Sequence, residues 1–176
     1  MNRVSVSAED VPLPDWSAGL EGFSGRVLEW LGRDGWELSV LICGDRTIAG
    51  LNSAYRGKDG PTDVLSFSQD EGFPFPMGFP FPPGEQTGEG RRHAGDIAIS
   101  LDTLRENARL FEVDEDEELR RLLIHGILHL DGMDHHTNDK AEPMLRLQEQ
   151  ILEELSDLRI LPTGGLPAGL PTGGIA

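Results

Sequence analysis

The sequence has little cysteine, little lysine and no long apolar run. Its single cysteine, Cys43, excludes an internal disulfide framework and fits a reducing cytosol. We expect it to be a small buried hydrophobe. Two lysines and 13 arginines stand against 31 acidic residues, and the resulting formal charge of -16 repels polyanions as a whole. A nucleic-acid partner would therefore have to meet a local basic patch.

The sequence shows neither an export signal nor a membrane span. The first 16 residues lack the apolar core of a signal peptide. No apolar stretch approaches the roughly 20 residues that a membrane-spanning helix needs. We therefore expect a cytoplasmic protein with no membrane partner.

The distribution of apolar residues predicts one α+β domain. A chain of 176 residues suits a single core and is too short for two comfortable ones. Its periodicities predict a small mixed four-stranded sheet covered by about five helices, with residues 64–67 pairing with 94–100. The predicted strands are 4–6, 36–43, 64–67 and 94–100. Three of the predicted helices are 16–31, 101–110 and 144–158. The other two run from a cap at Asp45 to a stop at Gly57 and from a cap at Asp114 to residue 130.

We expect the folded domain to span residues 1–160, with an insertion at 69–92. Four Phe-Pro pairs in that insertion forbid regular helix or sheet and predict a long loop. The loop could be a substrate lid or a partner ligand. It could equally be a tolerated hairpin insertion, because surface loops accept insertions at low cost. The Pro/Gly-rich end, 161–176, is predicted to be a disordered tail.

The stretch HGILHLDGMDH carries three of the five histidines, at His125, His129 and His135. On a helix the first two lie one turn apart on the same face, so their imidazoles can converge. Gly132 offers a helix stop that can bring His135 back toward them. Three neutral imidazoles with an open fourth position predict a catalytic-type zinc site at a helix-turn, with one Zn²⁺ per chain. The neighbouring His136 points elsewhere and is assigned as an outer or solvated residue.

The histidine spacing is also that of the metzincin protease motif H-E-x-x-H-x-x-G-x-x-H. In that motif the Glu after the first His is the general base. Here that position is Gly126, which cannot take a proton. The spacing keeps a zinc metallopeptidase-like hydrolase as an alternative, and Gly126 argues against it.

A second constellation pairs Arg56 with Lys58, just beyond a predicted helix. Two cations on one turn of so acidic a chain suit a phosphate, which Arg can bind bidentately. A helix C-terminus also attracts cations through its dipole, so a structural role is equally open. Thr62 and Asp63, before the next strand, are either a turn cap or site residues.

Four further features are open to a functional and to a structural interpretation. Asp131 and Asp134 could orient the ligand histidines or be solvated turn residues. His93 is predicted to be an ordinary surface histidine. The acidic run at 114–118 is predicted to be a helix N-terminus, with Asp114 as the cap and Glu117 at the capping-box position.

These residues also carry a resemblance. HGILHLDGMDH resembles the H-G-x-L-H-L-x-G-Y-D-H signature of the YbeY family of metal-dependent bacterial endoribonucleases, with Met133 in place of the Tyr. LNSAYRGKDGPTDVLSFS, residues 51–68, is similar to the family block L-N-x-x-Y-R-x-x-D-x-P-T-D-V-L-S-F. GDIAIS, residues 95–100, matches a third block, G-D-I-x-I-S. The three blocks follow the family's order, and the likeness spans roughly residues 38–155.

The resemblance implies a single-strand-specific, zinc-dependent endoribonuclease acting in rRNA maturation at the small-subunit rRNA 3′ end and in ribosome quality control. It implies that His125, His129 and His135 bind zinc and that Arg56 is the catalytic cation. It also implies RNA and ribosomal particles as partners, together with ribosomal proteins or a GTPase; DNA is not expected.

The corresponding reaction would be metal-assisted phosphodiester hydrolysis, with Arg56 stabilising charge that develops in the transition state. The sequence does not identify the general base, and Asp96 and Asp134 are both candidates. Besides the peptidase-like hydrolase, a non-catalytic ribosome-assembly factor with a structural or vestigial zinc remains an alternative.

Overall fold

The computed structural model describes residues 1–69 and 90–166, and these form an α+β domain. It confirms the predicted class, with a four-stranded mixed sheet and five helices among the described residues. The strands are β1 (Arg3–Glu9), β2 (Trp36–Cys43), β3 (Val64–Ser68) and β4 (Arg92–Ser100). The helices are α1 (Ser17–Trp30), α2 (Asp45–Arg56), α3 (Leu101–Leu110), α4 (Glu115–Leu130) and α5 (Pro143–Glu154). None of these helices is long and apolar enough to cross a membrane.

The sheet has the strand order β1-β2-β4-β3. β1, β2 and β4 run parallel, and β3 pairs with β4 in the antiparallel direction, with Val64 opposite Ile99. This confirms the predicted pairing of the two segments. β4 begins at Arg92, two residues before the predicted start, because its first residues pair with Trp36 and Glu37 of β2.

The helices cover the two faces of the sheet unequally. The larger core joins α1, α4 and α5 to one face, where Ile97 and Ile99 of β4 are fully buried. A smaller core joins α2 to the other face around Ala98, because successive side chains of a strand point to opposite faces. Cys43 belongs to this smaller core and is fully buried, as predicted.

α4 lies directly against the sheet, because it carries Gly126 at the point of closest approach. A Cβ atom at this position would lie 2.8 Å from Cδ1 of Ile97 and 3.1 Å from two further carbons of the same side chain. Ile97 is fully buried and β-branched, so it has little freedom to move away. The glycine therefore sets how near to the sheet the histidine-bearing helix can pack.

Three details of the predicted helices are wrong. The N-cap of α2 is Gly44, and Asp45 is the first helical residue. The carboxylate of Asp45 instead accepts hydrogen bonds from the hydroxyls of Ser100 and Thr103, each at 2.6 Å. α5 ends at Glu154 rather than at 158. Leu110, predicted to mark the apolar face of α3, is 65 % exposed.

The acidic start of α4 does more than complement the helix dipole. Asp114 is the N-cap, as predicted, and accepts from the backbone N–H of Asp116 at 2.7 Å. Glu117, predicted for a capping box, pairs with Arg121 at 2.8 Å. Asp116 is fully buried, and its Oδ1 accepts the backbone N–H groups of residues 160 and 161, each at 2.7 Å. This carboxylate ties residues 160 and 161 to the start of α4.

The domain therefore continues past the predicted boundary at residue 160. Leu161 and Leu166 are buried in the larger core, and the N–H of Leu166 donates to Glu115. Residues 161–166 were predicted to begin a disordered tail, and that part of the prediction is wrong because apolar burial and buried hydrogen bonds hold them. Residues 167–176, and most of the predicted loop at 69–92, lie outside the described residues.

Candidate active site

The helix-turn at the end of α4 gathers the three predicted histidines. His125 and His129 lie one turn apart, and Gly132 then ends the helix at a φ of 93°. The turn is closed by hydrogen bonds from the N–H of Gly132 to His129 O and from the N–H of Met133 to Leu128 O, both 3.0 Å, which is the Schellman pattern. The chain then reverses and returns His135 to the other two rings.

The three imidazoles converge closely enough to share one ion. Their potential ligand atoms all lie within 4.8 Å of one another. The Nε2 atoms of His125 and His129 are 3.1 Å apart, and the ring centroid of His135 lies 5.2 Å from that of His125. Among the described residues this is the one group of histidine, cysteine and carboxylate side chains with metal-binding geometry.

Each imidazole is held from behind by an oxygen atom. Nδ1 of His125 lies 2.7 Å from Oε1 of Gln148, Nδ1 of His129 lies 3.1 Å from Met133 O, and Nδ1 of His135 lies 2.9 Å from Thr137 O. Carbonyl and amide oxygens only accept, so Nδ1 carries the proton and donates in all three rings. The Nε2 lone pairs are thereby left for a metal, and an all-imidazole donor set of this kind fits zinc.

The surroundings also favour the neutral form of two of the rings by lowering their pKa. Burial lowers the pKa of His125, with the hydrogen bond to Gln148 opposing it. Burial is also the main cause that lowers the pKa of His129, and the neighbouring His125 adds to it. Metal binding needs neutral imidazole, so a lowered pKa keeps both rings available to a metal down to a lower pH than a free histidine.

The two rings line a cleft of about 940 Å³ that Arg56 also enters. Nη2 of Arg56 donates to Ser66 O at 2.5 Å, and its guanidinium carbon lies 5.5 Å from the centroid of the Phe67 ring. Four cations and two carboxylates line the described walls of this cleft: Arg33, Arg56, Lys58 and Arg92 with Asp131 and Asp134. The cleft is thus locally basic in a chain of charge -16, as a nucleic-acid partner would require.

The three carboxylates that the sequence offers near the histidines, Asp96, Asp131 and Asp134, have different partners in the structure. Asp131 does not orient a histidine but binds Arg33 through both of its oxygens, at 2.6 and 3.1 Å. Asp134 lies at the cleft, 4.0 Å from Nδ1 of His129, with an exposed side chain. Asp96 sits on the sheet face opposite to that of its neighbour Ile97 and contacts His93 at 3.5 Å. Asp96 is thus on the sheet face opposite to the one that α4 covers, whereas Asp134 lines the cleft beside His129.

The remaining candidates are not members of the three-histidine group. Asp63 accepts from the N–H of Val64 and from the side-chain amide of Asn107, so it caps the turn before β3. His136 is exposed and outside the ligand group. His93 is half-buried rather than an ordinary surface residue, and its hydrogen bond to Asp96 raises its pKa.

The geometry also bears on the peptidase alternative. In the protease motif the residue after the first histidine carries the base into the active site. Here the Cβ of any such residue would press on Ile97 and the sheet. Position 126 is thus unable to present a carboxylate to the cleft without moving the helix.

Comparison with known proteins assigns the family. A sequence model described as Endoribonuclease YbeY matches residues 15–156. The chain belongs to the YbeY endoribonuclease family. Endoribonuclease YbeY of Treponema denticola is 45 % identical over 161 residues, covering 90 % of this chain and 97 % of its own length. That of Sinorhizobium medicae is 38 % identical over 179 residues, covering 94 % and 95 % respectively.

A solved structure agrees with this assignment at the level of the fold. The solution structure of a Thermotoga maritima protein is 26 % identical, with a TM-score of 0.54, and covers 95 % of this chain and all of its own. Membership of the YbeY family supports a nuclease activity, and the group formed by His125, His129 and His135 could hold a metal ion.

Gln148 is a site residue that the sequence alone did not identify, although its position in an apolar stripe was a signal for it. Gln148 lies on α5 and is only 7 % exposed, in the same buried stripe as Met144, Ile151 and Leu152. A polar residue in an apolar stripe must find a partner when it is buried, and this one finds a YbeY signature histidine. Its amide also donates to Glu149 at 3.2 Å, which fixes which end faces His125.

Gln148→Leu is expected to weaken Zn²⁺ binding by roughly 10- to 100-fold, because His125 loses the acceptor that sets its tautomer and ring orientation. Competition with a chromophoric chelator measures this affinity. Gln150→Leu is the matched control, since Gln150 lies on the same helix but is exposed and bonds to Glu154. Equal affinities in the two variants would remove Gln148 from the site.

Proposed function

We propose that this chain is a zinc-dependent, single-strand-specific endoribonuclease that acts on rRNA in the cytoplasm, at the small-subunit rRNA 3′ end and in ribosome quality control. The observation that carries the proposal is the convergence of three imidazoles, each with Nδ1 held by an oxygen, beside a cleft that Arg56 also lines. Ribosomal particles, with ribosomal-protein or GTPase partners, complete the proposal on the strength of the family alone.

His125, His129 and His135 would hold the zinc ion, one per chain. When bound, zinc supplies a Lewis acid that acts on a phosphodiester. Arg56 supplies a planar cation whose fork of donors matches phosphate oxygens, and it stabilises negative charge that develops there during cleavage. The Ser66 carbonyl and the Phe67 ring hold its guanidinium in place, so little reorganisation is needed. Asp134 lines the same cleft, and we propose it as the proton acceptor.

The charge distribution favours a single strand as substrate. The cleft walls are basic, whereas the whole chain carries a formal charge of -16. One strand can place its phosphates in the cleft, but a duplex would also bring a second charged backbone close to a chain that is acidic as a whole. This supports cleavage of unpaired RNA over paired RNA.

With Zn²⁺, the purified protein is expected to cleave single-stranded RNA and to leave the matching duplex and casein intact. Arg56→Gln is expected to lower kcat roughly 100-fold or more with unchanged metal content, because charge stabilisation in the transition state is lost. Gel analysis of labelled RNA, together with metal analysis, measures both effects.

Arg46→Gln is the matched control for Arg56. Arg46 is exposed on the same helix, α2, and the charge change is identical, but it does not line the described part of the cleft. Cleavage of casein with intact RNA would overturn the proposal in favour of a peptidase. Full activity of Arg56→Gln would remove Arg56 from the mechanism.

A further inference from the structure

Two arginines lie over one tryptophan at the wall of the cleft. Trp36 is the first residue of β2 and pairs in register with Arg92, the first residue of β4. The guanidinium carbon of Arg92 lies 5.4 Å from the centroid of the Trp36 ring, and that of Arg33 lies 5.7 Å from it. Both distances are within cation–π range. We call Arg33, Trp36 and Arg92 the Trp36 platform.

The Trp36 platform is fixed relative to the histidine group. Arg33 binds both oxygens of Asp131, the residue that caps the C-terminus of α4 directly before Gly132. All three platform residues line the same cleft as His125 and His129. A ligand that extends along the cleft from the histidines therefore meets a surface whose position is set by the metal-site turn.

The chemistry of this surface suits a nucleotide. Trp36 itself is only 8 % exposed, whereas Arg33 and Arg92 are exposed, so the groups presented to the cleft are two guanidiniums that contact an aromatic ring. Nucleobases stack on guanidinium planes as they do on aromatic rings, and the positive charge meets the adjoining phosphate. The structural alternative is that the arginine stems only shield Trp36 from water. That role needs neither the planar head group nor a place at the cleft.

We propose that the Trp36 platform stacks a nucleobase of single-stranded RNA, in a subsite next to the phosphodiester at the histidine group. The subsite rests on the proposed function, since it binds part of the same substrate. Arg92 is its exposed outer face, and Arg33 is the face tied to the metal-site turn.

The test uses full-length, metal-stripped protein and a labelled single-stranded RNA long enough to span the cleft, with binding measured by fluorescence anisotropy. Arg92→Gln is expected to weaken binding roughly tenfold, and Arg92→Lys nearly as much, because Lys keeps the charge but not the plane. Arg146→Gln makes the same charge change as Arg92→Gln, at an exposed position of α5 that is outside the described cleft lining, and is expected to bind as the wild type does.

A second measurement uses the zinc-loaded enzyme. Arg92→Gln is expected to raise KM for the single-stranded RNA severalfold with little change in kcat, because the platform binds a base and does not touch the reacting phosphate. Full binding by Arg92→Lys would overturn stacking in favour of a phosphate contact alone. Equal behaviour of Arg92→Gln and Arg146→Gln, with a wild type that still binds and cleaves RNA, would sink the subsite and leave the proposed function standing. A wild type that neither binds nor cleaves RNA would sink both.

Discussion

His129→Ala is expected to lose Zn²⁺ affinity by more than about 100-fold and to lose RNA cleavage with it. Changes to the outer partners of zinc ligands already cost up to about that much, and this change removes a ligand itself. Nε2 of His129 is 3.1 Å from Nε2 of His125, so its loss opens one side of the three-imidazole group. Metal analysis after dialysis and gel analysis of single-stranded RNA measure the two losses.

His136→Ala separates this loss from a general effect of removing histidine. His136 is adjacent to His135 in sequence but is exposed and outside the ligand group, so its variant is expected to keep both metal and activity. Thermal unfolding of the metal-free proteins checks the fold, since His129 is partly exposed and Ala preserves the helix. Unchanged metal content in His129→Ala would contradict the zinc assignment.

Asp116→Ala is expected to lower the free energy of unfolding by about 3–5 kcal/mol, the usual cost of breaking a buried ion pair. Asp116 is fully buried, and its Oδ2 accepts from Nε of Arg120 at 2.8 Å, while the Arg120 side chain is only 8 % exposed. The change leaves that guanidinium without its carboxylate and leaves two buried backbone N–H groups without their acceptor. Such a loss is a large part of the roughly 5–15 kcal/mol that stabilises a typical domain.

Asp114→Ala is the matched control for Asp116. Asp114 is in the same acidic run, but its side chain makes an N-cap contact to a backbone N–H, which is worth about 1 kcal/mol, and a half-exposed ion pair with Arg159 at 3.6 Å. Urea unfolding followed by circular dichroism compares the two variants. If Asp116→Ala were no less stable than Asp114→Ala, the contacts of Asp116 with Arg120 and with residues 160 and 161 would not stabilise the fold.

Local chemistry accounts for what could be predicted from the sequence. The bounds of β2 were correct because a β-rich apolar run stands between Gly35 and Gly44. The ends of α2 and α4 were predictable because Gly57 and Gly132 adopt positive φ angles of 63° and 93°, which few other residues adopt at low cost. The histidine group followed from the same logic, since helix pitch and a glycine stop determine it within 11 residues.

The contacts that could not be predicted are those between distant segments. Gln148 and His125 are 23 residues apart, Asp116 and Ile160 are 44 apart, and Arg33 and Asp131 are 98 apart. Periodicity indicates which residues are buried but not which partners they find. The sequence therefore predicts Asp116 to be one more carboxylate at a helix N-terminus, and it leaves Asp131 open between orienting a histidine and being a solvated turn residue. In the fold each of them pairs with an arginine.

Gly126 also has an evolutionary consequence. In sequence, this histidine stretch differs from the protease motif only at position 126. A single Gly126→Glu substitution would therefore complete the protease motif. The contact with Ile97 opposes this substitution, since any side chain at 126 has to displace a buried β-branched residue before it can act as a base. The path from one activity to the other therefore includes a repacking of Ile97 against α4, so we expect variants along it to lose stability before they gain a peptidase base.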